Sequence, residues 1–254
     1  MIMKQKKTMT RRRAIFAGLT SAGALLLSGC FKKPAPPTYG NILRMGDNLT
    51  YMAQRGLLSQ KALAPEYQKS DITSFPVTDI GDPADPASKT AYNKVYQELQ
   101  RNNFKDWALS VEGNVARPGK YTMADLKKLG ERTQITRHTC EEGWSAIAEW
   151  TGVPLSALLQ HAGILPAACC VCIYGYDNYG ESIDLLDAFH PQTILAHTMN
   201  GETLPARNGA PVRLRVETQI GYKNVKYLRR IVVTDKFVDA GPDIPNGWSW
   251  YTGI

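Results

Sequence analysis

Arg137-His138-Thr139-Cys140-Glu141-Glu142-Gly143-Trp144-Ser145, followed by Trp150-Thr151-Gly152-Val153-Pro154-Leu155, decides how this chain is read. A lone cysteine sits among charged and polar residues. Ile135 before it suggests the end of a strand, and Ser156-Ala157-Leu158-Leu159 after it suggests a helix. A cysteine kept only for packing usually lies in an apolar run. Here Arg137 and His138 come just ahead of it, and both favour the thiolate, the form that binds metals or attacks substrates. Two readings stand at this point: a metal-binding or catalytic thiolate, or a half-buried structural cysteine in a loop.

The wider wording, Arg-His-x-Cys-x-Glu-Gly-Trp-Ser and then Trp-x-Gly-Val-Pro-Leu, resembles the molybdenum-cofactor domain of the sulfite oxidase superfamily. It is most similar to the bacterial periplasmic branch that includes the catalytic subunit of the methionine sulfoxide reductase system. The resemblance implies an α+β fold, a single domain with mixed β-sheets and short helices around one cofactor cleft. It implies Mo-molybdopterin as cofactor, with Cys140 as the one protein thiolate on molybdenum. The chemistry agrees: a soft, high-valent metal wants thiolate ligands, and oxygen-atom chemistry needs open coordination positions.

Other segments carry the same resemblance. Ala91-Tyr92-Asn93-Lys94-Val95-Tyr96-Gln97-Glu98 is similar to a pterin-holding family segment, with Asn93, Tyr96 and Gln97 as its contacts. Asn and Gln both donate and accept, as a pterin edge requires. Read alone, the segment is a solvated helix. Gly175 falls where the reductase branch has threonine, so it offers only backbone groups. Asp187-Ala188-Phe189-His190-Pro191 resembles another family segment, which makes His190 a candidate proton donor beside a plain local cap. His197, in an alternating apolar run, is a second candidate proton donor beside a plain satisfied strand histidine. Asn208-Gly209-Ala210-Pro211-Val212-Arg213 matches a block in which Asn208 and Arg213 bind the pterin and its phosphate. Arginine's planar fork suits phosphate, and Asn-Gly permits a tight turn against a ligand. In Gly221-Tyr222-Lys223-Asn224-Val225-Lys226, the backbone amides of Asn224 and Val225, with Lys226, are expected to close an anionic pocket.

The 254 residues suffice for one sizeable domain with its own core. Hydrophobic residues make up 43% and charged residues 21%, as in soluble globular proteins. Much of the net charge of +7 belongs to Lys4, Lys6, Lys7, Arg11, Arg12 and Arg13. No basic stripe interleaved with aromatics follows, so no nucleic-acid partner is expected. Thr10-Arg11-Arg12-Arg13-Ala14-Ile15-Phe16 resembles a twin-arginine export motif, and that pathway carries folded, cofactor-loaded proteins. The run Ala22 to Leu27 is too short for a membrane span. Leu27-Ser28-Gly29-Cys30 resembles a lipoprotein processing box, with Cys30 as the lipidated residue; an ordinary signal peptide or an uncleaved anchor is the alternative. Lys32-Lys33-Pro34-Ala35-Pro36-Pro37 reads as a stiff tether. The expected organisation is a signal peptide over 1–29, a tether and wrapping extension over 30–87, and the oxidoreductase domain over 88–254, in a lipid-anchored periplasmic protein.

Period-two alternation predicts strands over 107–113, 131–136, 194–199 and 227–235. Helices are expected over 51–58, over 122–130 with Thr122 and Gly130 as caps, and over 155–161 ending near Gly163. Cys169, Cys170 and Cys172 read as buried strand residues; a zinc site using them and His161 lacks paired Cys-x-x-Cys knuckles.

The function expected is oxygen-atom transfer in the reductive direction on a small-molecule or protein-bound sulfoxide or similar S- or N-oxide. Sulfite oxidation is the alternative, with Arg137 as a candidate for the cationic pocket it needs. A non-enzymatic binding lipoprotein is a third reading. No Cys-x-x-Cys-His haem motif occurs, so electrons are expected from a separate, membrane haem or quinone-linked partner. A monomer is expected.

Overall fold

Two sheets carry the loops that hold the candidate residues. The computed structural model describes residues 42–59, 62–77, 81–238, 240 and 249–254. The leader, Cys30 and the tether lie outside these residues, as does most of the aromatic tail.

The first sheet is mixed. It contains β1 (Ala108–Gly113), β2 (Gly119–Thr122), β5 (Cys170–Gly175), β6 (Gly180–Asp184) and β10 (Leu228–Thr234), in the order β2-β1-β10-β5-β6. Only the β1–β10 pairing is parallel. The second sheet is antiparallel: β3 (Arg132–Thr139), β4 (Ser145–Pro154), β7 (Ile194–Met199) and β8 (Glu202–Thr203), with β9 (Arg213–Arg215) also paired to β7. The strands begin and end within a few residues of where alternation placed them.

The helices are short, except for the first. They are α1 (Ile42–Leu57), α2 (Lys94–Arg101), α3 (Met123–Lys127), α4 (Leu155–Ala162) and α5 (Leu185–Ala188). Thr122 caps α3 by a reciprocal pair with Asp125, as the sequence suggests. Gly163 ends α4 in a left-handed conformation (φ 74°) that a side chain would strain.

The main core joins the sheets. Leu109 and Val111 of β1, Val171 and Ile173 of β5, and Ile231 and Val233 of β10 meet Leu155, Leu158 and Leu159 of α4 and Val153, Leu195 and Leu214 of the second sheet. A smaller cluster centres on Trp150, with Ala148, Ile194, Ala196 and Phe75.

The helix expected over 51–58 is longer than its apolar pattern suggested, because the face that packs is polar. Tyr51 Oη donates to Asp184 Oδ2 (3.0 Å), and Arg55 Nη2 meets Asp184 (2.9 Å) and Asp187 (2.7 Å). Gln54 donates to the Gly253 carbonyl, and Tyr51 packs against Trp250 and Tyr251. Downstream, the extension runs along β3 and β4: Tyr67 N–H donates to Ile135 O and Thr73 N–H to Ile147 O, each bond near 3 Å.

Candidate functional site

A cleft of about 180 Å³, open to solvent, forms where the β3–β4 turn, the β5–β6 turn and the loops on either side of β9 converge. Its lining includes Cys140, Asn208, Arg213, Asn224, Val225 and Lys226. These come from two widely separated stretches of sequence, 140 and 208–226.

Cys140 ends β3. Its N–H donates to Trp144 O (2.9 Å), and Gly143 N–H returns to its carbonyl (3.1 Å). Gly143 supplies the positive φ (90°) that the turn needs. The thiol is 4% exposed and lies 3.6 Å from Glu141 Oε2. Burial holds its pKa above the ordinary thiol range, and the neighbouring Glu141 and Glu142 add to this, although the Glu142 N–H opposes it. The flanking basic residues thus do not activate the thiol as expected. Strand alternation sends Arg137 to the exposed face, where it stacks over the Tyr67 ring. His138 is buried, and its Nδ1 faces Arg215 Nη1 at 2.7 Å. Burial and the Arg215 and Arg213 charges keep the imidazole neutral, so Nδ1 accepts and Nε2 carries the proton. A cation bound at Cys140 would reverse the balance and deprotonate the thiol.

The opposite wall is basic. Arg213 is 4% exposed. Its Nη1 and Nη2 donate to the Asn208 and Asn224 carbonyls (3.0 and 3.3 Å). Among the described residues its Nε has no hydrogen-bond partner, and no carboxylate pairs with it. Burial and the adjacent Arg215 lower its pKa to about 9. Arg215, by contrast, is neutralised by Glu217 through both carboxylate oxygens (3.0 and 2.6 Å). Arg207 and Lys226 add positive charge to the lining.

The chain keeps side chains off this cavity in two places. A Cβ at Gly221 would fall 3.1 Å from Cys140 Cα and 2.5 Å from Glu141 Oε2. Gly209 has φ 109°, and a Cβ there would fall 2.9 Å from Lys226 Cβ. An uncompensated buried cation, bare glycines beside it and a single thiol across from it fit an anionic cofactor whose metal takes one protein sulfur.

Other sequence candidates lie elsewhere. Asn93 spends its side chain capping α2, accepting from the Val95 and Tyr96 N–H groups. Tyr96 is buried and donates to Ala210 O (2.8 Å), supporting the Asn208 turn from behind. Gln97 donates to Ala84 O. The Asn224 N–H is already given to Gly221 O (2.9 Å), so it does not serve an anion as expected; the Asn224 side chain braces the loop through Val216 N–H. His190 does not line the cleft. Its Nε2 meets Ala62 O (3.0 Å), and it faces a second cavity beside Arg55 and Glu217. His197 pairs with Glu131 at 2.9 Å.

Asp177 is the member the sequence did not reveal. In sequence, Asp177-Asn178-Tyr179-Gly180-Glu181 reads only as a hairpin-like turn, yet Asp177 is 3% exposed and lines the cleft. Its Oδ1 lies 2.3 Å from where a Cβ at Gly175 would be. The carboxylate therefore fills the space that a side chain at 175 would take. Burial raises its pKa to about 6, against the pull of the Tyr179 N–H and Lys226.

Among the described residues, no three His, Cys, Asp or Glu groups converge to hold a metal. Cys169 and Cys170 have Sγ atoms 3.1 Å apart. Cys172 turns to Ser182, while His161 packs on Tyr121. The zinc reading therefore does not assemble.

Comparison with known proteins gives four findings. The family described as "oxidoreductase molybdopterin binding domain" matches residues 96–240. A protein of Azospira oryzae named for a protein-methionine-sulfoxide reductase subunit, YedZ1, is 34% identical over 96% of this chain and 87% of its own length. The protein-methionine-sulfoxide reductase catalytic subunit MsrP of Xanthomonas campestris pv. campestris is 28% identical over 91% of this chain and 71% of its own. Among solved structures, the sulfane dehydrogenase SoxCD of Paracoccus pantotrophus is 29% identical over 52% of this chain and 39% of that one, with a TM-score of 0.49.

Proposed function

The chain belongs to the family of oxidoreductases with a molybdopterin-binding domain, and from that premise we propose that it reduces a sulfoxide or a similar S- or N-oxide with molybdenum held by Cys140. The family's cofactor is Mo-molybdopterin; when bound, it supplies the redox chemistry of oxygen-atom transfer. The observation that carries the site is Arg213, a buried cation without a carboxylate partner among the described residues, in the same cleft as a single buried thiol.

Each wall of the cleft has a task. Arg213, Arg207 and Lys226 neutralise the cofactor's anionic group, as charge-assisted bonds in a buried site do. Asn208 and Gly209 form the turn that lets the backbone approach it. Asp177 accepts from N–H donors on the pterin edge. Cys140 Sγ would hold the metal as thiolate, its proton passing by way of Glu141 Oε2 to solvent. His138 Nε2 is left as a donor facing the cleft. Phe75, Pro76, Val77 and Trp144 form an apolar side that suits a thioether-like group and limits water.

The same walls favour reduction of a neutral oxide over oxidation of sulfite. Glu141 and Glu142 stand beside Cys140 and repel a dianion, while Arg137, the expected anion partner, lies on the exposed face. Relatives named for methionine sulfoxide reduction support this direction. Relatives that carry the names of subunits support a separate electron-transfer partner, which the proposed anchor would place at the membrane. The leader supports twin-arginine export to the periplasm and a lipid anchor on Cys30.

The test is the metal and pterin content of the exported protein beside Cys140→Ala, followed by dye-linked turnover of methionine sulfoxide and of sulfite. About one molybdenum per chain, lost in the variant, and turnover of the sulfoxide are expected. Sulfite oxidation without sulfoxide reduction would reverse the proposed direction. Full molybdenum in Cys140→Ala would remove the thiolate from the site.

A further inference from the structure

Helix α1 is amphipathic the wrong way round for a helix packed on a protein core. A surface helix normally buries its apolar stripe and shows solvent a polar one. Here Asp47, Asn48, Tyr51, Gln54 and Arg55 make up the less exposed face, and the last three bind Asp184, Asp187 and Gly253. The outward side carries Leu49 (66% exposed), Met52 (52%) and Ala53, and ends in Leu57 (84%) and Leu58 (56%). Leu49, Met52, Ala53 and Gly56 stand at the i, i+3, i+4 and i+7 spacing of one helical stripe. The polar contacts hold the helix to the domain, so the stripe is fixed outward.

We infer that the outward face of α1 lies on the surface of the lipid bilayer, with Leu49, Met52 and Leu57 entering the boundary between headgroups and acyl chains. The inference rests on the proposed anchor at Cys30. Ile42 follows Cys30 by 12 residues, a length that spans at most about 40 Å. An anchored Cys30 therefore holds α1 close to the membrane. Lys32, Lys33 and Arg44 lie along the same stretch, and basic residues beside an apolar stripe favour anionic headgroups. Thr50 is the one polar side chain among the exposed residues of the helix whose side chains are described, and it carries no charge that would fix the register of a protein interface. No described helix is long and apolar enough to cross a membrane; α1 lies on the surface rather than spanning it.

The test is a photoreactive benzophenone residue placed at Met52 of the full lipoprotein, with Val95 of α2, itself 56% exposed, as the control position. Native membranes are illuminated and the adducts identified by mass. Phospholipid adducts at Met52 about tenfold above those at Val95 are expected. Adducts to a protein at Met52, no adduct there, or equal lipid adducts at both positions would overturn the inference. The mass of the N-terminal peptide reports lipidation separately. An unmodified Cys30 defeats the anchor reading alone if Met52 still labels lipid, whereas a lipidated Cys30 with an unlabelled Met52 defeats only the membrane-bound helix.

Discussion

Arg213 and Arg215 are buried guanidinium groups two positions apart in one strand, and they have opposite fates. Arg215 is matched by Glu217 and serves to keep His138 neutral. Arg213 is left without a counter-ion among the described residues, so its charge is available to a ligand. Replacing it by lysine keeps the charge but loses the fork. Arg213→Lys should lower co-purified pterin about tenfold while moving the unfolding midpoint of the cofactor-free protein by only a few degrees, as pterin fluorescence and thermal denaturation would read. Asp177 gives a prediction in pH. Its folded pKa, about 6, stands above the ordinary 3.8, so its proton favours the folded state. That contribution is complete below about pH 3.8 and is lost as pH rises through about 6. Asp177→Asn should therefore stabilise the cofactor-free protein at pH 7.5 by about 1–3 kcal/mol and flatten its stability profile between pH 4 and 6. An unchanged profile in urea titrations would show that this carboxyl is not the source. At this scale the sequence disclosed chemical type better than direction. Cys140, Asn208, Arg213 and Lys226 do share a cleft, but Arg137 and His190 point away from it, and Asp177 was hidden, because neither strand facing nor turn burial is written in one residue's identity.

Elements were more legible where local rules act alone. The α3 cap at Thr122, the end of α4 at Gly163 and the strand Ile194–Met199 follow from side-chain periodicity and turn chemistry. Helix α1 did not, since its packing face is built from Tyr51, Gln54 and Arg55, whose partners are distant in sequence. The loop before Asn224 depends in the same way on a neighbour the sequence does not show. Gly221 lies against the Cys140 turn, so Gly221→Ala would push a methyl group into Glu141 and the Cys140 backbone. Overpacking of this kind costs about 1–3 kcal/mol. The expected result is a lower unfolding midpoint together with reduced molybdenum content. A variant with full metal and unchanged stability would mean that the two loops move apart freely.

One buried cluster ties α1 to the end of β6, to α5 and to the loop after β9. Arg55 of α1 bridges Asp184 and Asp187, and Gln219 donates to Asp187 from the far side. Removing one partner from such a cluster leaves unpaired buried charge, at a cost of about 3–5 kcal/mol for a fully buried pair. Arg55 is 18% exposed, so Arg55→Ala should cost somewhat less, about 2–4 kcal/mol, measured by urea denaturation. Loading the cofactor should raise the unfolding midpoint of wild type but not of a variant that cannot hold it, because a ligand that binds only the folded state stabilises it by mass action. The strand order carries a consequence of a different kind. β10 lies between β1 and β5 in the first sheet, yet it follows both of them in the chain. The hairpins β1–β2 and β5–β6 therefore belong to one sheet only through residues 228–234, so β10 is the seam of that sheet, and a folding chain joins its two halves only when β10 slots between them.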